Sequence, residues 1–281
     1  ITQSGAITQT AAAGTVPFNG GAGVLTLTQA NDFTGSVAAS NSGANAVQIT
    51  DTNAIDLAAI TAGSSLTVSA GGAITTSGNA STSNNGSISL SNTAGNITVS
   101  NTMTANGSGG VTFNAAGLLT VNAAASSTSG NLNLTGGTGV TFGVNGDLTS
   151  GTTGTIGVTA TANNITMADG TVFTTGSGAV SLTAANNVVL GQVNTISSAI
   201  DVTATAGAIT DTTAAETPNI ITSGLATLAA ALGIGSAGGV ADINTSIGTL
   251  VATNSTSGDI NVTNATNLII GCTWVRRLRD N

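Results

Sequence analysis

Apolar and polar residues alternate along most of the chain in short bursts, and the bursts come in pairs. Leu66–Thr76 shows the unit: an apolar-x-apolar segment, a corner of small residues, and a second apolar position followed by threonines. The unit recurs from Leu25 and Val47 through Ile88, Val111, Leu132, Ile156 and Val180 to Ile200, with starts 19 to 24 residues apart. A last unit is read as opening on Ile260 and Val262 and closing on Leu268 and Ile270. Between Ile200 and Ile260 the register is ragged. Pro218 and the alanine-rich run Leu225–Leu232 lie there, so irregular coils are expected around residues 212–250, with a short helix as the alternative.

Period-2 alternation over three to five residues predicts short strands with one buried face. Gly, Asn, Ser and Ala between them supply corner conformations. Antiparallel meanders would need a hairpin signal after every strand. Asn85-Gly86, Asn106-Gly107, Asn145-Gly146 and Asp169-Gly170 occur, but at no fixed place in the unit. A coil that returns to the same position every ~20 residues accounts for the register better, and stacking such coils joins their apolar rows into one core.

Columns of like residues agree with this. Thr75, Thr98, Thr120, Thr141, Thr166 and Thr210 hold the middle of the second segment, with Asp56, Val189 and Ile269 as exceptions. Thr28, Thr50, Ser69, Ser91, Asn114, Thr135, Thr159, Thr183, Thr203 and Thr263 follow the first segment. In a parallel solenoid these become outward ladders with ~4.8 Å spacing. Like charges stacked ~5 Å apart repel by about 0.8 kcal/mol per step even in water. Charges should therefore be scattered, and Asp56 and Asp201 do each stand alone in their columns.

Composition sharpens the picture. Charged residues are 5% and aromatic residues 2% of the 281, against about 25% charged in ordinary soluble domains, so the core must be thin and aliphatic. The net charge is −8, and Arg276, Arg277 and Arg279 are the only basic residues. Nucleic acid binding needs cations against phosphate, so it is excluded for the body of the chain, as is adsorption of a basic surface on anionic lipid. No apolar run approaches the ~20 residues of a membrane span. The lone Cys272 cannot form an intrachain disulfide, and avoidance of Cys before it suits an exported protein. With no initiator Met and no basic-then-apolar leader, a mature chain or a fragment is expected.

Candidate chemistry is sparse. There is no His, Glu216 is the only glutamate, and Cys272 has no base partner in the sequence pattern. Two carboxylates could cut a polysaccharide, but the ten aspartates spread over many coils. The nonapeptide of calcium-binding β-rolls is absent as a repeat. Asn-x-Ser/Thr triplets such as Asn96-Ile97-Thr98 follow from composition. Thr-x-Thr arrays on solenoids can bind ice; Thr26-Leu27-Thr28 fits, whereas Gln48, Asn133, Gly157 and Asp201 interrupt the array. The tail from Cys272 to Asn281 holds the only Cys, Trp and Arg, and is read as a non-repeat, disordered end or a terminus artefact.

Asn31-Asp32-Phe33-Thr34-Gly35-Ser36-Val37, the Gly-Ala-Ile-Thr segments at Gly5 and Gly207, Gly233-Ile234-Gly235 and Ser257-Gly258-Asp259-Ile260-Asn261-Val262-Thr263-Asn264 carry a family likeness. In these the chain resembles the repeat regions of filamentous-haemagglutinin-type adhesins of Gram-negative bacteria. The likeness covers most of Ile1 to Gly271. It implies a right-handed parallel β-helix on an exported rod, sent out by a two-partner or autotransporter route, that serves adhesion, biofilm, a toxic tip, or spacing alone.

The expectation is an all-β, right-handed parallel β-helix with coils of about 19–24 residues, a single solenoid over residues 1–270. It is a non-enzymatic structural or adhesive segment, extracellular or associated with the outer membrane. No catalytic, cofactor or metal residue is expected. Expected partners are host or neighbouring cell surfaces or glycans, and further copies end to end; nucleic acid and a membrane span are not. A self-assembling filament subunit, a polysaccharide-active β-helix enzyme and an ice-binding solenoid are the alternatives.

Overall fold

In a computed structural model of the chain, residues 1–211, 217–235 and 242–271 are described. They form a parallel β-solenoid of about 11 coils, with no helix among the described residues. Each regular coil carries three strands rather than two. Ile88–Asn92, Ile97–Val99 and Met103–Ala105 make one coil; Val111–Ala115, Leu118–Val121 and Ala125–Ser127 make the next. Each strand pairs in parallel with its counterpart one coil on, so three sheets run along the rod.

The first sheet holds the paired apolar residues. Leu66/Val68, Ile88/Leu90, Val111/Phe113, Leu132/Leu134, Ile156/Val158, Val180/Leu182 and Ile200/Val202 stack in unbroken register and are buried. The second sheet stacks Ile74, Ile97, Leu119, Val140, Ile165, Val188 and Ile209 in the same way. Burying such side chains contributes about 1.5–3 kcal/mol each before entropy. Because a coil's inward side chains are covered by the coils on either side, stability comes from the stack.

The third sheet runs through Ala80–Thr82, Met103–Ala105, Ala125–Ser127, Leu148–Ser150 and Val172–Thr175. In most coils its inward positions pair an apolar residue with a buried hydroxyl, Thr82, Ser127, Ser150, Thr175 and Thr195 all being buried; Met103–Ala105 has Ala105 there instead. An unpaired buried hydroxyl is costly, and these are paired. Ser127 Oγ donates to the Gly109 carbonyl at 2.6 Å and accepts the Gly130 amide at 2.8 Å. Ser150 Oγ donates to the Gly130 carbonyl at 3.0 Å, and the Thr82 and Thr175 hydroxyls reach the carbonyls of Gly86 and Gly178.

The glycines that receive these bonds stack on one another at the corner leading into the next coil. A Cβ on Gly109 would lie 2.0 Å from the Gly86 carbonyl oxygen; on Gly130, 2.2 Å from that of Gly109; on Gly154, 2.1 Å from that of Gly130; and on Gly178, 1.9 Å from that of Gly154. No side chain fits there. The corner brings backbone against backbone, and the hydroxyl column satisfies the carbonyls so exposed to the interior.

The structure replaces the helical alternative with a strand, and it corrects the phase of the final unit and the place of Thr28. The run Leu225–Leu232 is not helical: Ile220–Ala230 is one strand, with Ala226, Leu228 and Ala230 buried between Ile200–Ala204 and Leu250–Asn254. Alternation wins over the helix propensity of alanine because the strand is flanked on both sides. The stretch expected to be irregular therefore contains the two longest strands, Ile220–Ala230 and Ile243–Asn254, with a register shift between Thr222 and Leu225. Residues 212–216 and 236–241 of that stretch lie outside the described residues.

The final unit was read out of phase. Ile260 bridges Ile234 in the second sheet, Val262–Asn264 stacks on Ile243, Asn244 and Thr245 in the third, and Ile269–Ile270 lies on Thr249 and Leu250 in the first. Thr263 thus faces Asn244 rather than the first-sheet column, where Thr253 stands beside Ala229. Apolar-x-apolar looks alike in every sheet, and phase was lost where the third and first strands fuse without a corner. Thr28 also leaves its column, because register shifts between Leu27 and Asn31.

The glycine column can be tested by comparing two substitutions. Gly130→Ala is expected to cost at least about 1–3 kcal/mol through overpacking against backbone. Gly157→Ala, on an outward strand position where a Cβ would sit 3.4 Å from Asn133 Oδ1, is expected to be neutral or slightly stabilising. Urea unfolding midpoints of the two variants read the difference.

Candidate functional site

Apart from Thr28 and Thr263, the outward threonine and serine ladders form as the sequence predicts. Thr75, Thr98, Thr120, Thr141 and Thr166 are successive partners in the second sheet, with Val189 and then Thr210 continuing the column. Thr50, Ser69, Ser91, Asn114, Thr135, Thr159, Thr183 and Thr203 form the first-sheet column. Inward neighbours on both sides fix each strand's facing, so a hydroxyl at these positions can only point out. Beside the first-sheet column, Gln48, Thr67, Ser89, Thr112, Asn133, Gly157, Ser181 and Asp201 alternate in size and chemistry. The face has one regular row, not two.

The aspartates are distributed along the rod, and several accept hydrogen bonds from the chain. Asp147 Oδ1 accepts the Val172 amide at 2.8 Å, and Asp242 accepts the Thr263 hydroxyl. Asp56 accepts the hydroxyls of Thr75 (2.9 Å) and Ser77. Asp32 Oδ1 accepts the Asn53 side-chain amide at 2.9 Å. Asp201 stands in its column between Ser181 and Thr227. Among the described residues, no three His, Cys, Asp or Glu side chains gather where a metal ion could sit. Glu216 and the tail from Cys272 to Asn281 lie outside the described residues.

Asp51, like Asp211, points inward and is buried; Asp51 is only 2% exposed. Its Oδ2 accepts the Phe33 amide at 2.7 Å and its Oδ1 the Asn53 amide at 2.8 Å. Burial pushes its carboxyl above the usual 3.8; the two backbone amides oppose the shift, and the charge of Asp32 adds to it. Asn92, at a corresponding inward position two coils on, does a similar task without charge: its Oδ1 accepts the Ala116 amide at 2.9 Å.

An open groove of about 440 Å³ crosses successive coils at the N-terminal part of the second sheet, between Ser36, Asn53, Ala54, Asp56, Ala73 and Thr75. A smaller one of about 260 Å³ runs beside Ile196, Ile221 and Ile247. The sequence reading missed the first groove because it arises from small corner residues on separate coils. It also missed the glycine and hydroxyl columns, although Gly86, Gly109, Gly130, Gly154 and Gly178 recur with the coil spacing.

Two outcomes test this picture. The pairing of Thr120 with Thr141 predicts that Thr120→Asp and Thr141→Asp are not additive: their coupling in a double-mutant cycle should be unfavourable by about 1 kcal/mol at low salt and shrink as salt is added. For Asp51, a folded pKa above the unfolded value means that its contribution to stability is fully present below pH 3.8 and is lost as pH rises through the folded value. A carbon-detected NMR titration should place its midpoint above 3.8. The stability difference between the parent and Asp51→Asn should move against the parent over the same window.

A family model described as repeats of unknown function (DUF5649) matches residues 1–40 and 44–104. No curated protein and no solved structure matches the chain. The matched repeats coincide with coils of the solenoid, and the same three-strand coil continues beyond them to Ala204. What the chain is similar to is thus a repeat, and its structural unit is one coil.

Proposed function

We propose that the chain is a non-catalytic structural segment of a bacterial surface or secreted protein, a rod that holds other parts of an adhesin away from the cell. The observation that carries this reading is the first-sheet register, unbroken from Val47 to Ala204. Such a stack is a stiff spacer whose length is the coil number times ~4.8 Å, about 50 Å here. The segments around Asn31–Val37 and Ser257–Asn264 support placing it among filamentous-haemagglutinin-type adhesins. On that reading the winding is right-handed, as parallel crossovers overwhelmingly are, and the location is extracellular. Uncharged Thr, Ser and Asn ladders suit weak contacts with glycans or cell surfaces spread along the rod. No helix among the described residues is long and apolar enough to cross a membrane.

Removing whole coils separates a spacer from a protein with a single indispensable site. Deleting residues 132–179 joins Asn131 to Val180, and Val180 stands two coils on from Leu132 in the same column. The shortened rod should fold, scatter X-rays as a particle about 10 Å shorter, and keep surface attachment when displayed on cells. Complete loss of attachment with the fold intact would count against the spacer reading.

A further inference from the structure

The groove of about 440 Å³ near the N-terminal coils sets the Asp56 carboxylate beside a concavity. Its floor is Phe33 and Ile55, both buried, and its walls are the exposed corner residues Asn53 and Ala54 with Thr75 beyond them. It exists because Gly35, Ala54 and Ala73 leave the corner without side-chain bulk. Gly35 has no room for more, since a Cβ there would lie 2.2 Å from the Gly14 carbonyl oxygen.

Several polar donors around this groove are engaged within the chain, and Ser36 Oγ shares a hydrogen bond with Thr15 Oγ1. Thr34 Oγ1 donates to the Thr10 carbonyl, Asn53 Nδ2 to Asp32 Oδ1, and Thr75 Oγ1 to Asp56 Oδ1. The ionisable group beside the open space is a carboxylate with acceptor capacity to spare. The Asp56 carboxylate has about four lone-pair positions, of which Thr75 and Ser77 take two. Thr75 Oγ1 keeps its own lone pairs. No Lys or Arg occurs between Ile1 and Val275 to neutralise the carboxylate. An acceptor-rich, anionic lining calls for a ligand made of donors and carrying positive charge. A primary ammonium has three donors and no acceptor, and its bond to a carboxylate is charge-assisted.

We propose that this groove binds a primary-ammonium ligand, with Asp56 as the residue that holds the ammonium. Thr75 and Ser77 position the carboxylate. An amino sugar, as in a de-N-acetylated polysaccharide, and a linear polyamine share this chemistry. The site does not depend on the spacer reading, and it excludes sulfated or carboxylated glycans as ligands.

The test is calorimetric titration of the full chain with glucosamine oligomers, with spermidine, and with N-acetylglucosamine oligomers of the same length. Binding of an aminated ligand is expected, weakened by salt, with little or none for the N-acetylated oligomer. The aminated ligand that binds identifies the source. Asp56→Asn retains the shape and should weaken binding by about tenfold or more, as expected when a charge-assisted bond becomes a neutral one. Ala54→Arg, at an exposed corner, should abolish binding by placing a tethered cation in the groove. Thermal unfolding of each variant checks that it is folded. Equal affinity for acetylated and aminated oligomers, unchanged affinity in folded Asp56→Asn, or no binding of either amine would overturn the proposal.

Discussion

Every part of this molecule answers to the ~4.8 Å spacing of hydrogen-bonded strands. In a solenoid that spacing repeats along the axis, so each residue must tolerate its counterpart directly above and below. Apolar side chains gain from it, as Ile156, Val180 and Ile200 do in one interior column. Hydroxyls tolerate it on the outside, and charges do not. The corner columns feel it most: at Gly109, Gly130 and Gly154 the preceding coil's carbonyl oxygen crowds the place where a Cβ would be. The unusual composition is the outcome of one geometric rule applied coil after coil.

That rule also explains how far the sequence could be read. The first and second sheets were legible because Leu66 and Val68, or Ile97 and Val99, put two aliphatic residues on alternate positions. The third sheet was not, because Ala80-Ser81-Thr82 and Ala125-Ser126-Ser127 carry no large apolar residue. Their inward Thr82 and Ser127 look like surface residues until the glycine carbonyls they serve are in view. Phase was lost at Ile260 for a related reason. The strands Ile220–Ala230 and Ile243–Asn254 absorb a corner, and counting by coil length cannot detect that. The groove at Asp56 was illegible for a third reason: its walls come from coils that only the stacking brings together.

The same geometry bears on chemistry. A reaction centre needs several different groups converging on one point, whereas a ladder sets like groups side by side along a line. The aspartates show the difference. Asp147 and Asp51 use their oxygens to accept backbone amides, and so act as parts of corners. Asn92 does comparable work with a neutral amide. The task is hydrogen bonding, and negative charge is incidental to it; burial of Asp51 even works against that charge. Asp56 is a case where a carboxylate stays half-exposed beside a concavity, with acceptor capacity left over after Thr75 and Ser77.

Where the register is disturbed is as informative as where it holds. Shifts fall between Leu27 and Asn31, between Val37 and Ala39, and between Thr222 and Leu225. The first sheet from Val47 to Ala204 has none. A solenoid's stability is a sum of coil terms and nearest-neighbour terms, so coils within the regular stretch are nearly interchangeable, and gaining or losing one leaves its neighbours' contacts intact. The irregular coils lack that freedom, because each fits only the neighbour it has. Length is therefore adjustable in the middle of the rod and individuality sits towards its ends. The groove of Asp56, which spans Gly35 to Thr75 beside the first two shifts, belongs to the individual part.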